Sequence, residues 1–258
     1  MPFTTYHLQL FAPIKLGALE GLAFVDTGAT QSTLLKSYSE PFEKLELEES
    51  WGAYGVRHLE QCIIPAVRFL NTDYADVQVH VEESLNVTLP EDPSPVLMRA
   101  GADLLTKQSL IIDFSKEHLG FGAGDYFEQS PVQKVSLKTK LNLFDIEIGS
   151  LTLPCIFDTG AGLSVLNARF LDAVKSQMEE LEPIETRDGS GKVFPLRVFY
   201  HPAVSLAGKT LGDVRLLVID LSPIEQFTGK EIGAVLGFEA MKNHSWLLEW
   251  SEELLWRF

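Results

Sequence analysis

The chain has 258 residues, 45% hydrophobic and 22% charged, the balance of an ordinary globular protein, which excludes disorder as its main state. A formal net charge of −15 and an isoelectric point near 4.8 argue against a nucleic-acid partner, because no basic patch is large enough to offset that field. There is no run of 18 apolar residues to cross a bilayer, so no membrane partner is expected.

The opening, residues 1–7, has neither the basic start nor the apolar core of a signal peptide. The two cysteines, Cys62 and Cys155, sit at unrelated places and read as buried thiols. A cytoplasmic location is the expectation. Residues 6–10 alternate weakly, and residues 19–25 form an apolar strand that delivers Asp26 to a turn at Thr27-Gly28-Ala29. Trp51-Gly52-Ala53-Tyr54-Gly55 has the glycines and aromatics of a hairpin tip. Strands are expected over 56–67 and 77–81, joined by a polar connection at 71–75, followed by a proline-rich loop at 90–95. A short helix is predicted over 101–107 and a strand over 110–114.

Residues 120–131 combine glycines, charges and Pro131 and read as a linker. The glycines there lack the Gly-Lys-Ser/Thr ending of a phosphate loop. Strands follow over 135–148, and residues 151–157 lead to Asp158. The spacing of Phe170, Val174, Met178 and Leu181 predicts a helix over 167–181, with Asn167 as cap and Pro183 as stop. Residues 187–191, which include Ser190 and Gly191, read as a second hairpin tip. Strands are expected over 198–206 and 214–219. The apolar ending at 254–258 should join a sheet or pack between lobes.

Residues 23–32 and 155–164 share Asp-Thr-Gly-Ala after an apolar run, with a serine, Ser32 or Ser164, six residues after the aspartate. The aspartates are 132 apart. Gly55 and Gly191, and Gly101 and Gly237, are 136 apart, and Pro65-Ala66-Val67 recurs 137 later as Pro202-Ala203-Val204. Landmarks in one order at nearly constant spacing imply two copies of one domain. The expected boundaries are 1–124, a linker at 125–134, and 135–258, giving an all-β, two-lobed, monomeric molecule with a pseudo-twofold axis.

Two such lobes packed about a twofold would bring Asp26 and Asp158 face to face. Two carboxylates at contact distance share one proton, which supplies a base and an acid together. The base activates a water against a peptide carbonyl, and the acid protonates the leaving nitrogen. Gly28 and Gly160 would let backbone amides reach the carboxylates. The hydroxyls of Thr27 and Thr159 would bond across the interface, and Ser32 and Ser164 would tie each turn to its own lobe. No His-Glu-x-x-His or Gly-x-Ser-x-Gly pattern is present, the six histidines are dispersed, and no metal or cofactor is expected. A cysteine nucleophile would need a histidine partner that the sequence does not reveal.

On these motifs both halves resemble the retropepsin-like and pepsin-like aspartic proteases, most closely a retropepsin-like dimer fused into one chain. The resemblance implies that Asp26 and Asp158 are the catalytic pair. It also implies that the tips around Trp51, Tyr54 and Gly55 and around Ser190 and Gly191 are flaps closing on an extended peptide, the cleft floor running past Ala29 and Ala161. Trp51 suits a flap contact and a core position equally. There are departures from the pattern. Arg99-Ala100 stands where two apolar residues are usual, marking either a reshaped loop or an impaired first lobe, and Thr30-Gln31 and Gly162-Leu163 replace the usual acidic residues. Alanine at 29 and 161, where a hydroxyl would favour ionisation, points to an activity optimum of about pH 5 to 6. The alternative is a non-catalytic peptide- or protein-binding role on the same fold.

Overall fold

The computed structural model describes residues 1–52, 55–85, 87–88, 94–122, 133–136, 142–187, 193–251 and 253–257. The fold is dominated by β-structure with a few short helices. In the first half, β1 (Thr4–Tyr6), β2 (Gln9–Leu16), β3 (Leu19–Val25), β4 (Thr33–Leu35), β5 (Glu43–Gly52), β6 (Gly55–Phe69), β7 (Thr72–Glu82) and β8 (Val96–Ala100) build one sheet. Its order is β1-β2-β3-β8-β4-β7-β6-β5, and β2 also pairs with β6 through Ile14↔Phe69, Lys15↔Arg68 and Leu16↔Val67.

Helix α1 (Ala102–Leu105) follows, then β9 (Leu110–Asp113), β10 (His118–Phe121) and β11 (Gln133–Ser136). The second half holds β12 (Leu143–Ile148), β13 (Leu151–Phe157), β14 (Ser164–Asn167), α2 (Leu171–Val174), β15 (Glu179–Arg187), β16 (Val193–Leu206), β17 (Lys209–Ile219), α3 (Ser222–Thr228), β18 (Ala234–Leu236), α4 (Phe238–Met241), β19 (Ser245–Glu249) and β20 (Leu254–Arg257). Strands β12-β13-β18-β14-β17-β16 close into a six-stranded barrel through the β12–β16 pairing, with β15 added at the edge.

The pairings that position the aspartates are alike in the two sheets. β3 and β13 each run parallel to a short strand, β8 and β18, and end one residue before an aspartate. β4 and β14 lie antiparallel to those same strands and parallel to β7 and β17. Apolar runs make this possible, because a strand flanked on both edges and buried on at least one face needs side chains such as Ala23, Val25, Cys155 and Phe157, all buried.

A third sheet, β10-β9-β19-β20-β11, draws strands from both halves. Its centre is the antiparallel pair β9–β19, with Ile112↔Trp246 and Ile111↔Leu247 in register. Trp246 is fully buried and meets Phe157 edge to face at 5.1 Å. The apolar ending thus joins a sheet. β11 occupies the last two residues of the expected linker and pairs with β20.

The helix predicted over 167–181 is corrected. Asn167 ends β14, α2 covers only four residues between two 3-10 turns, and β15 begins at Glu179. Pro183 lies within β15, at the register shift between Leu181 and Ile184, and stops no helix. The polar connection expected at 71–75 is also shorter, since Leu70 and Asn71 alone make the turn before β7.

Candidate active site

Asp26 and Asp158 follow β3 and β13, and each backbone N–H donates to the parallel neighbour, Asp26 to Ala100 O at 3.0 Å and Asp158 to Leu236 O at 3.1 Å. Each carboxylate then turns back onto its own loop. Asp26 Oδ1 accepts from Gly28 N and Ala29 N, both at 3.0 Å, and Asp158 Oδ1 accepts from Gly160 N at 2.8 Å and Ala161 N at 3.2 Å. These amides hold one oxygen of each carboxylate in place.

The two turns are locked to each other by four hydrogen bonds. Thr27 N donates to Thr159 Oγ1 at 3.1 Å, and Thr159 N donates to Thr27 Oγ1 at 3.0 Å. Thr27 Oγ1 donates to Phe157 O at 2.9 Å, and Thr159 Oγ1 donates to Val25 O at 2.8 Å. Both threonines are buried, so each hydroxyl needs a donor and an acceptor, and the opposite half supplies both.

The glycines follow from the same closeness. A Cβ on Gly28 would collide with the Asp158 carboxylate, and one on Gly160 with that of Asp26. Each carboxylate therefore lies against the glycine of the other turn. Burial pushes Asp158 up to about 8, and the neighbouring negative charge of Asp26 adds to the rise.

Behind the turns, Ser32 Oγ accepts from Gly101 N at 3.0 Å and donates to Asp103 Oδ1 at 2.7 Å. Burial pushes Asp103 upward, opposed by its bonds from Ser32. Ser164 Oγ accepts from Gly237 N at 3.0 Å. Gly101 and Gly237 are pressed against backbone: a Cβ would lie 2.7 Å from Gln31 C in the first and 2.8 Å from Ala161 O in the second. Ala29 O and Ala161 O accept from Ala102 N and Phe238 N at 2.8 and 2.7 Å.

Residues 144–240 match a family model described as aspartyl protease. The matched stretch takes in Asp158, Ser164 and Gly237 and is shorter than half the chain. A search of curated proteins finds no match.

The two hairpin ends are partly described. Trp51 pairs with Val56 and Gly52 with Gly55, while Tyr54 lies outside the described residues, as do Ser190 and Gly191 beyond the Arg187↔Val193 pair. Two residues near the aspartates were missed from sequence as site members. Asn142, buried, donates from Nδ2 to Thr27 O at 2.8 Å, and the residue 132 positions earlier is Leu10, so the spacing of the two aspartate motifs gave no signal. Glu82 sits near Arg99, whose Nη1 is 3.8 Å from Asp26 Oδ2. Among the described residues no group of three or more His, Cys, Asp or Glu side chains could hold a metal ion, and no helix is long and apolar enough to cross a membrane.

Proposed function

We propose that the chain is an aspartic endopeptidase that hydrolyses peptide bonds in extended polypeptides, with Asp26 and Asp158 as the catalytic pair. The observation that carries this is reciprocal: each carboxylate rests against the glycine of the opposite turn, and four threonine hydrogen bonds run between the two halves at the turns. In this reading Asp158 holds the shared proton and Asp26 activates a water lodged between them. Asp158 then protonates the departing nitrogen. The family match over 144–240 supports it.

The architecture proposed with it is a duplication, lobes 1–124 and 135–258 joined by 125–134, acting as a monomer. The like pairings of the first sheet and the second support that division. A binding-only role is favoured by one observation, the charged Arg99 beside Asp26. Digestion of an unbiased peptide library separates the two. The expected result is cleavage by the wild-type chain and a loss of at least about 10³-fold in both Asp26→Asn and Asp158→Asn. Cleavage retained by either variant would reject the mechanism, and peptide binding without cleavage would establish the second reading.

A further inference from the structure

Beside Asp158 the sheet presents aliphatic side chains. Val235 pairs with Ile156 and Val165, and Ile219 pairs with Asn167 two residues further along β14. Val165, Val235 and Ile219 pack in one apolar cluster with Leu217, Leu221 and Ile224. The same registers in the first half put Arg99 opposite Phe24 and Thr33, and Glu82 opposite Leu35. Val165, Ile219 and Val235 are thus answered, beside Asp26, by Thr33, Glu82 and Arg99.

That exchange places charge in a poorly solvated position. The Arg99 side chain is 24% exposed and that of Glu82 12%. Structural arginine-carboxylate pairs usually hold two bonds of about 2.7 to 2.9 Å. Here Nη1 is 3.8 Å from Asp26 Oδ2 and Nη2 is 3.7 Å from Glu82 Oε2, both beyond hydrogen-bond length. Nη2 donates to Thr33 Oγ1 over a long 3.3 Å, and the buried Nε has no partner among the described residues. A guanidinium with five donors is held close to two acids without bonding well to either. Packing alone would favour the aliphatic set that the other half uses.

We infer that Arg99 and Glu82 are specificity-determining residues that receive a carboxamide side chain, Asn or Gln, at one of the two substrate positions flanking the scissile bond. Val235 and Ile219 receive an aliphatic side chain at the other. The inference rests on the peptidase reading, because a group touching Arg99 lies next to a bond held between the two aspartates. A carboxamide gives its oxygen to Arg99 and its N–H to Glu82. A carboxylate would suit Arg99 but meet Glu82 and Asp26 in a chain of net charge −15, and an ammonium would meet Arg99. An aliphatic group would cover the ion pair without bonding to it.

The test uses extended peptides carrying Gln, Asn, Glu, Lys or Leu at each flanking position, with two readouts: cleavage by the wild-type chain and binding to the Asp158→Asn chain. The Arg99→Val, Glu82→Ile double variant copies the aliphatic set of the second half and removes both charges together. Arg99→Lys keeps the charge and loses the planar fork. At one position Gln or Asn is expected to exceed Leu and Glu by about 10- to 100-fold in both readouts. The double variant should turn that preference to Leu, and Arg99→Lys should lower the Gln-to-Leu ratio. A Glu preference in the wild type, or a profile unchanged in both variants, overturns the inference. Asp158-dependent cleavage with no preference traceable to Arg99 overturns it while the peptidase reading stands. Amide-selective binding without wild-type cleavage supports the subsite while the peptidase reading falls.

Discussion

At the scale of single residues, Asp158 makes the molecule sensitive to pH in a direction opposite to that of most carboxylates. Its native value is raised from 3.8 to about 8, so between those values the folded chain binds more protons than the unfolded one. Stability from this group is complete below about pH 4 and is lost progressively as pH rises to about 8. The neutral Asp158→Asn does not titrate, so the wild-type melting temperature should fall relative to the variant's across that range. A gap that stays constant with pH would contradict the assignment. On the peptidase reading, cleavage should likewise fall as pH climbs through about 8, where Asp158 loses its proton. Ala29 and Ala161 offer the carboxylates amides and no hydroxyl, the feature from which an optimum of about pH 5 to 6 is expected.

At the scale of elements, strands were readable wherever an apolar run ended in a polar turn. β3 and β13 have the bounds expected of them, because the run and its terminating aspartate are local features. The helix over 167–181 failed because its three-to-four spacing also fits short turns. Val174 is buried, Phe170 and Met178 pack beside the core, and the acidic residues after Met178 belong to an edge strand despite their low strand propensity. Arg99 was visible as a departure, but Glu82 was not legible as its neighbour. Their meeting depends on β4 lying between β7 and β8, a pairing no local pattern encodes. The turns joining β6 to β7 and β16 to β17 are two-residue hairpins with both central residues at positive φ, Leu70 and Asn71 at 49° and 63°, Ala207 and Gly208 at 45° and 75°. Ala207 is exposed and pays a steric cost there that glycine would not. Ala207→Gly should therefore stabilise the chain by about 0.5 to 1 kcal/mol, measured by the urea midpoint, and a loss of stability would show that the turn is not strained.

For the whole molecule, the threonine exchange and the shared sheet predict that the halves do not unfold separately. Thr27→Val would leave Thr159 N and Phe157 O without partners in a buried place, at about 1 to 3 kcal/mol each, or about 2 to 6 kcal/mol in all. Hydrogen exchange should record that loss equally in β2–β3 and in β12–β13. Confinement of the loss to β2–β3 would mean that the halves are energetically independent.

The central sheet also constrains how the molecule is made. β9 finds its inner neighbour in β19, which the ribosome adds more than a hundred residues later. Until then the growing polypeptide carries Leu-Ile-Ile-Asp along an unsatisfied strand edge, a surface that invites pairing with any other extended chain. Biogenesis should accordingly favour rapid completion of translation or shelter by a holding chaperone over leisurely folding of the first half by itself.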